Sequence, residues 1–90
     1  MDKLTKVRYC KKSSDFEYFY RKNEVHILLE LVSKENISPE ILERLAGHKS
    51  ISIRYRVARH LNSNRETLKK LKLDTEVIVR DQANLNYSTL

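Results

Sequence analysis

The sequence predicts an all-α protein in which about three helix pairs form a short right-handed stack. Only one glycine and one proline occur in 90 residues, too few for the turns of a β-sandwich or barrel. Apolar residues recur at the three- and four-residue spacings of a helix. The same apolar pattern returns every 26 residues. A period of about 20–50 residues is typical of stacked helical repeats.

Each predicted pair joins a short helix to a longer one. The short helices carry two apolar residues three positions apart, namely Phe16 and Phe19, Leu42 and Leu45, and Leu68 and Leu71. The longer helices carry an inward stripe at four-residue spacing, namely Ile27 and Leu31, then Ile53, Val57 and Leu61, then Val79 and Ala83. No helix can bury its apolar face alone. We therefore expect one α-solenoid domain over residues 13–90, with repeats 13–38, 39–64 and 65–90.

Several residues are typical of helix ends. Ser38 before Pro39 predicts a helix start, because serine caps the first turn and proline fits the first helical position. Ser63 lies three residues before Glu66, which is the spacing of a capping box. Gly47 predicts a left-handed helix end.

From Ser38 onward the sequence resembles the leucine-rich repeat variant family, whose members are HEAT-like α-solenoids pairing a short helix with a longer one. The matching residues are Pro39, Glu40, Leu42, Leu45, Ala46, Ile53, Arg54, Val57, Ala58 and the link His60-Leu61-Asn62-Ser63 in one copy, and Glu66, Leu68, Leu71, Val79, Arg80, Ala83, Asn86 and Thr89 in the next. Residues 13–37 match only by apolar spacing. A described member carries an iron–sulfur cluster on a separate cysteine-rich segment. This chain has one cysteine, Cys10, so that cluster does not transfer and no cofactor is expected.

Arg54 and Arg80 occupy equivalent positions in successive copies. Asp74 lies six residues before Arg80, the spacing at which HEAT-like repeats place an aspartate and an arginine in a ladder between neighbours. The equivalent residue before Arg54 is His48, which can accept a hydrogen bond but cannot form the same ion pair. We expect these arginines to be structural. Asp74 and Thr75 are also predicted to cap the last helix.

Four residues on the second helix of the middle repeat are candidates for partner binding: Tyr55, Arg56, Arg59 and His60. Arg56 and Arg59 lie three residues apart and are predicted to face outward. Second helices usually line the concave surface of a solenoid, where partners bind. The arginines could meet phosphates or an acidic peptide, or the face could simply be solvated.

The net charge of +6 is unevenly distributed. Residues 1–12, predicted to be a basic arm or cap, hold five Lys or Arg and one Asp. Residues 49–72 hold eight Lys or Arg and one Glu. Lys69, Lys70 and Lys72 form a candidate basic patch, but they belong to a first helix and should face away from Arg56 and Arg59. Such a band attracts anionic partners or is merely solvated.

Catalytic, metal and membrane functions receive little support. Cys10, His26, His48 and His60 lack metal-ligand spacing, and one glycine excludes a glycine-rich phosphate loop. The longest apolar stretch, VHILLELV, is too short to span a membrane, and the N-terminus lacks a signal-peptide segment. We therefore expect a cytoplasmic protein that is not an enzyme.

The function predicted is a non-enzymatic interaction or scaffold module that binds a protein partner through its helical-repeat surface. The last copy shows no obvious polar cap, so binding to a second copy as a homo-oligomer is included. The alternative is a nucleic-acid-binding protein that uses the 49–72 band and the N-terminal arm.

Overall fold

The described part of the chain, residues 13–90 in a computed structural model, consists of helices joined by short turns. The helices are α1 (Ser13–Lys22), α2 (Val25–Val32), α3 (Pro39–Leu45), α4 (Ile51–Arg59), α5 (Arg65–Leu71) and α6 (Val77–Tyr87). No strand occurs within these residues, which confirms the all-α prediction for them. The predicted arm or cap over residues 1–12 lies outside the described residues.

The longer helices lie side by side. Helix α4 packs against α2 on one side and α6 on the other. Helices α1, α3 and α5 each pack against the helix that follows them in the chain. The Cα radius of gyration is 12.6 Å, close to the roughly 12 Å expected for a compact domain of this length. The extents of the fold along its principal axes are 39 × 22 × 15 Å, so the row of helices is longer than it is wide.

The core contains the apolar residues that recur at the 26-residue spacing. Each is at most 3% exposed, and the set comprises Phe16, Phe19, Ile27, Leu31, Leu42, Leu45, Ile53, Val57, Leu68, Leu71, Val79 and Ala83. Leu61 was predicted to continue the inward stripe, and this is wrong because it is 86% exposed. Helix α4 ends at Arg59, and extended backbone at His60 (ψ 134°) turns Leu61 away from the core.

One predicted helix end is confirmed and another is wrong. Ser38 caps α3, where its Oγ accepts a hydrogen bond from the Ile41 amide at 3.3 Å and Pro39 is the first helical residue. Gly47 does not form a left-handed end, since the described backbone contains no glycine at positive φ. Helix α3 ends instead at Leu45 and is followed by Ala46 in right-handed conformation, with φ −61° and ψ −23°.

The start of α5 lies one residue later than predicted. Asn64 rather than Ser63 is the cap, and its Oδ1 accepts a hydrogen bond from the Thr67 amide at 2.9 Å. The buried Ser63 hydroxyl donates instead to the backbone oxygen of Val57 at 2.7 Å. Ser63 therefore adds a second hydrogen bond to the Val57 oxygen, which also accepts from the His60 amide, and does not cap α5.

Among residues 13–90, no helix combines the length and the apolar character needed to cross a bilayer.

Candidate functional site

Side-chain hydrogen bonds join neighbouring helix pairs at equivalent positions. The Nε2 atom of His60 donates to the backbone oxygen of Lys34 at 2.7 Å, and the separation in sequence is 26 residues. The Nδ2 atom of Asn86 donates to the backbone oxygen of His60 at 2.9 Å, again over 26 residues. Asn86 also donates to the buried backbone oxygen of Ala58 at 2.9 Å. The 26-residue period is thus present in polar contacts as well as in the core.

His60, a predicted partner-binding residue, takes part in these contacts. We call each contact region between two neighbouring helix pairs a joint. Its Nδ1 accepts a hydrogen bond from the Asn62 amide at 3.0 Å, while its Nε2 donates to Lys34. Both ring nitrogens are therefore engaged by the backbone of the chain. A partner would have to break one of these bonds to bind the imidazole nitrogens.

Arg54 and Asp74 form a bidentate ion pair between the second and third helix pairs. Nε of Arg54 lies 2.8 Å from Oδ2 of Asp74, and Nη2 lies 3.2 Å from Oδ1. Nη1 of Arg54 donates to the backbone oxygens of His48 at 2.9 Å and Lys49 at 2.8 Å. Only 13% of the Arg54 side chain and 8% of the Asp74 side chain are exposed. The Arg54 guanidinium therefore binds two loops, the one before its own helix α4 and the one before α6.

Asp74 also orders the turn before α6. Its Oδ1 accepts a hydrogen bond from the Glu76 amide at 3.0 Å. The cap position of α6 is Glu76, which makes no side-chain cap bond, so the prediction that Asp74 and Thr75 cap this helix directly is wrong. Burial alone would raise the pKa of Asp74. The hydrogen bonds from Arg54 and Glu76, with the charges of Arg54 and Arg80, outweigh burial and hold that pKa below its ordinary value.

His48 is the residue equivalent to Asp74 in the joint between the first and second helix pairs. Its Nδ1 accepts a hydrogen bond from the Ser50 amide at 2.9 Å, and its Nε2 contacts Oδ1 of Asn23 at 2.5 Å. Since Nδ1 is an acceptor, the proton lies on Nε2. Burial, followed by the charges of Arg54 and Lys49, lowers the pKa of His48.

Asn23, which the sequence analysis missed, supplies the other half of this joint. It follows α1 with a positive φ of 51°, a conformation that asparagine tolerates better than most residues. An asparagine just after a predicted helix was the available signal.

Arg56 and Arg59 separate two shallow grooves on the face formed by α2, α4 and α6, and we call this face the inner face. Both arginines are exposed, and both line each groove. One groove, of about 250 Å³, is walled by Leu29, Tyr55 and Ile78 among others. The other groove, of about 220 Å³, is lined by Val32, Ser33 and His60 together with the two arginines. The two arginines are therefore the central charged groups of this face.

The contacts of these arginines leave their charge unneutralised. Nη1 of Arg56 donates to Oγ of Ser33 at 3.1 Å. The Arg59 guanidinium lies 5.8 Å from the centre of the Tyr55 ring, within the range of a cation–π contact. Across the described residues, the carboxylates found in ion pairs are bound to other cations.

An apolar edge borders the inner face. Val25, Ile51 and Val77 begin α2, α4 and α6 and are 39%, 42% and 55% exposed. Ile78, which lines a groove with Ile51, is 50% exposed. This edge was not predicted from the sequence, because the prediction used only the inward stripe of each longer helix. The signal was the same 26-residue spacing at the first position of each longer helix.

The predicted basic patch lies on α5 and at Lys72, the residue that follows this helix, and is separate from both grooves. Lys69 and Lys70 are exposed, and Lys69 lies 3.8 Å from a carboxylate oxygen of Glu66. The Nζ atom of Lys72 lies 4.2 Å from the centre of the Tyr87 ring. None of the three lysines lines either groove beside Arg56 and Arg59.

A larger cleft of about 490 Å³ lies between α1 and α3. Its arginine, Arg44, forms an ion pair with Glu17. The Arg44 guanidinium also lies 5.2 Å from the Phe16 ring centre and 4.7 Å from that of Tyr20. Since the charge of Arg44 is matched inside the cleft, the inner face is the stronger candidate for binding an anionic partner.

In the part of the chain that the structure describes, no three His, Cys, Asp or Glu residues are grouped to hold a metal ion. Cys10 lies outside that part. Comparisons of the chain with protein-family models, with curated proteins and with solved structures found no match.

Proposed function

We propose that this chain is a short α-solenoid of three helix pairs, related to the leucine-rich repeat variant proteins, and a non-enzymatic module that binds a protein partner. The repeat architecture is supported by buried residues and joint hydrogen bonds that share one 26-residue period. The side-by-side packing of α2, α4 and α6 is consistent with it. In such an arrangement, the longer helices supply a continuous binding surface.

The observation that carries the proposed function is the pair Arg56 and Arg59 between two grooves. Each guanidinium can bind a carboxylate through two parallel hydrogen bonds. The apolar edge beside them offers exposed surface that a partner could cover. We infer that the partner is a protein segment that presents acidic side chains next to apolar ones.

Selection from a random peptide library displayed on phage, with the full chain as target, tests this proposal. We expect the selected peptides to combine Asp or Glu with large apolar residues. They should lose at least tenfold in affinity for the variant R56Q/R59Q, because each charge-assisted hydrogen bond contributes about 1.5–3 kcal/mol.

The matched control is the variant K69Q/K70Q, which removes the same charge from α5 outside the grooves. Peptides that bind R56Q/R59Q as tightly as the unaltered chain would contradict the proposed surface. Peptides that lose affinity only for K69Q/K70Q would move the binding site to α5.

A second candidate function, nucleic-acid binding, is favoured by a cluster of cations and one aromatic ring. Arg65 and Lys72 lie 5.8 Å and 4.2 Å from the centre of the Tyr87 ring, and Lys69 and Lys70 lie between them in sequence, on α5. Binding of a single-stranded oligonucleotide should then fall steeply between about 50 and 200 mM salt, and K69Q/K70Q should reduce that slope by up to about two. No retention at low salt would exclude this function.

A further inference from the structure

Arg56 and Arg59 enter the smaller groove of the inner face from the last turn of α4. Val32, Ser33 and His60 complete the lining of this groove, and we call it the Ser33 groove. Among the described residues, no Asp or Glu lines either this groove or the neighbouring one. Two positive charges therefore share one small groove without an acidic side chain of the described chain in its wall.

In the described part of the chain, a neutral group holds each of these arginines in place. Nη1 of Arg56 donates to Oγ of Ser33 at 3.1 Å, and that hydroxyl donates in turn to the backbone oxygen of Leu29 at 2.7 Å. The Arg59 guanidinium lies 5.8 Å from the centre of the Tyr55 ring. Both guanidiniums are thus oriented before a ligand arrives, and neither contact cancels a charge.

His60 contributes to the shape of the groove but donates elsewhere. Its Nε2 donates to the backbone oxygen of Lys34, and its Nδ1 accepts from the Asn62 amide. The two guanidiniums are therefore the donors that this groove offers to an anion.

The paired charges match a phosphate monoester better than a single carboxylate. An ionised carboxylate carries one negative charge on two oxygens. A phosphate monoester carries a charge of about −1.5 to −2 at pH 7 and three accepting oxygens. It can accept hydrogen bonds from two guanidiniums at once and come close to neutralising both.

The groove on the other side of the arginines indicates what carries the phosphate. Leu29, Tyr55 and Ile78 wall that groove, and it shares Arg56 and Arg59 with the Ser33 groove. An apolar side chain beside a phosphorylated residue fits this arrangement. The backbone of a nucleic acid has no such side chain, and each of its phosphates carries only one charge.

We propose that the Ser33 groove binds the phosphate of a phosphorylated serine or threonine in the partner segment, while an apolar neighbour of that residue lies in the other groove. This role depends on the proposed function, because it identifies the acidic group that the inner face binds. Arg56 and Arg59 contact the phosphate. Ser33 is a positioning residue, because it acts by holding Arg56.

Three synthetic peptide pools test this role. The pools share the same randomised positions on both sides of one fixed central residue, which is phosphoserine, glutamate or serine. Each pool is titrated into the isotopically labelled full chain while nuclear magnetic resonance follows the Nε–H signals of Arg56 and Arg59 and the amide signal of Ser33.

We expect the phosphoserine pool to bind about tenfold more tightly than the glutamate pool, and the serine pool to bind most weakly. The variant R56Q/R59Q should lose this preference. R56K/R59K should reduce it, since lysine keeps the charge but lacks the planar fork of donors. K69Q/K70Q is the matched control and should keep the preference.

The positioning role of Ser33 has its own variants. Ser33→Ala should weaken binding of the phosphoserine pool about threefold, because Arg56 loses its acceptor. Ser33→Thr keeps the hydroxyl and should restore the binding. Equal binding by Ser33→Ala and the unaltered chain would overturn the positioning role.

A glutamate pool that binds as tightly as the phosphoserine pool would overturn the phosphate site and leave the proposed function standing. Binding by neither pool would overturn both. A preference that R56Q/R59Q retains, or that K69Q/K70Q loses, would place the phosphate outside the Ser33 groove. Inorganic phosphate or a single-stranded oligonucleotide that shifts the same signals with the affinity of the phosphoserine pool would overturn the assignment to a protein segment.

Discussion

The guanidinium of Arg54 binds both carboxylate oxygens of Asp74 across 20 residues of sequence, at 2.8 Å and 3.2 Å. With 13% and 8% of the two side chains exposed, neither charge has ready access to water if the other is removed. The contact therefore joins two helix pairs and makes each partner dependent on the other.

Replacing Asp74 should destabilise the protein far more than replacing an exposed acid. We expect Asp74→Ala to lower the free energy of unfolding by about 2–3 kcal/mol, because the Arg54 charge is left mostly buried and unpaired. Glu66→Ala, which removes the exposed partner of Lys69, is the control and should cost less than about 1 kcal/mol. Urea denaturation measures both losses. Equal losses would show that the buried Arg54–Asp74 pair contributes no more to stability than the exposed Glu66–Lys69 pair.

The histidine joint should make stability depend on pH. Because the pKa of His48 is lowered in the folded state, the unfolded chain takes up a proton first as the pH falls. The stabilisation that the neutral His48 ring gives the folded state is complete above the ordinary histidine pKa of about 6.5. It is lost as the pH falls towards the lowered pKa of the folded state.

The variant His48→Gln, which cannot titrate, should therefore show a smaller loss of stability between about pH 7.5 and 5.5 than the unaltered chain. His26→Gln, which replaces an exposed histidine outside this joint, is measured beside it as the control. Thermal unfolding at several pH values measures the slopes. A slope that His48→Gln does not alter would rule out this linkage.

Thr67 is a buried residue whose hydroxyl is unsatisfied. It is fully buried on α5, and no described group forms a hydrogen bond with its Oγ1. Its equivalent in the preceding copy is the apolar Ile41, 26 residues earlier. We expect Thr67→Val to raise the free energy of unfolding by about 1 kcal/mol, since a methyl group replaces an unpaired hydroxyl of similar size.

Thr67→Ser is the matched comparison, because it keeps the hydroxyl and removes the methyl group, and it should lower the stability. The ranking Val above Thr above Ser in urea midpoints is the expected result. A Val variant less stable than the Ser variant would show that the hydroxyl has a partner.

Asn86 should be essential to the last joint. Its Nδ2 donates to the backbone oxygens of Ala58, in the last turn of α4, and of His60, the residue after that helix. We expect Asn86→Ala to cost about 2 kcal/mol, because the buried Ala58 oxygen loses a donor and the His60 oxygen keeps only the bond from the Ser63 amide. Asn84→Ala, two residues away and exposed, should change the stability by less than about 0.5 kcal/mol. Comparable losses in the two variants would contradict the structural role of Asn86.

The positions of the core were predictable because they depend on one property of the chain. The three- and four-residue spacing of Leu42 and Leu45, or of Ile53 and Val57, places apolar groups on one side of a helix whatever the helix then contacts. The cap at Ser38 was predictable for the same reason, since it involves only neighbours in sequence. Leu61 was mispredicted because extended backbone at His60 ends the helical period before it.

The candidate site was predicted only in part. Arg56 and Arg59 were identified from their spacing, and the structure does bring them together on an exposed face. His60 was placed with them because it follows on the same helix, but a backbone oxygen 26 residues away holds its ring in a joint.

The sequence by itself determined that residues 13–90 are helical and that the apolar residues recurring at the 26-residue spacing are buried, because helix geometry converts local spacing directly into a face. Only the tertiary structure decided where the polar side chains go, namely that Asp74 binds Arg54, that His60 and Asn86 bind carbonyls of the preceding copy, and that Ser63 leaves the cap of α5 to Asn64. The physical reason is that a hydrogen bond depends on distance and direction to within a few tenths of an ångström. The packing of one helix pair on the next, rather than spacing within either pair, sets those distances.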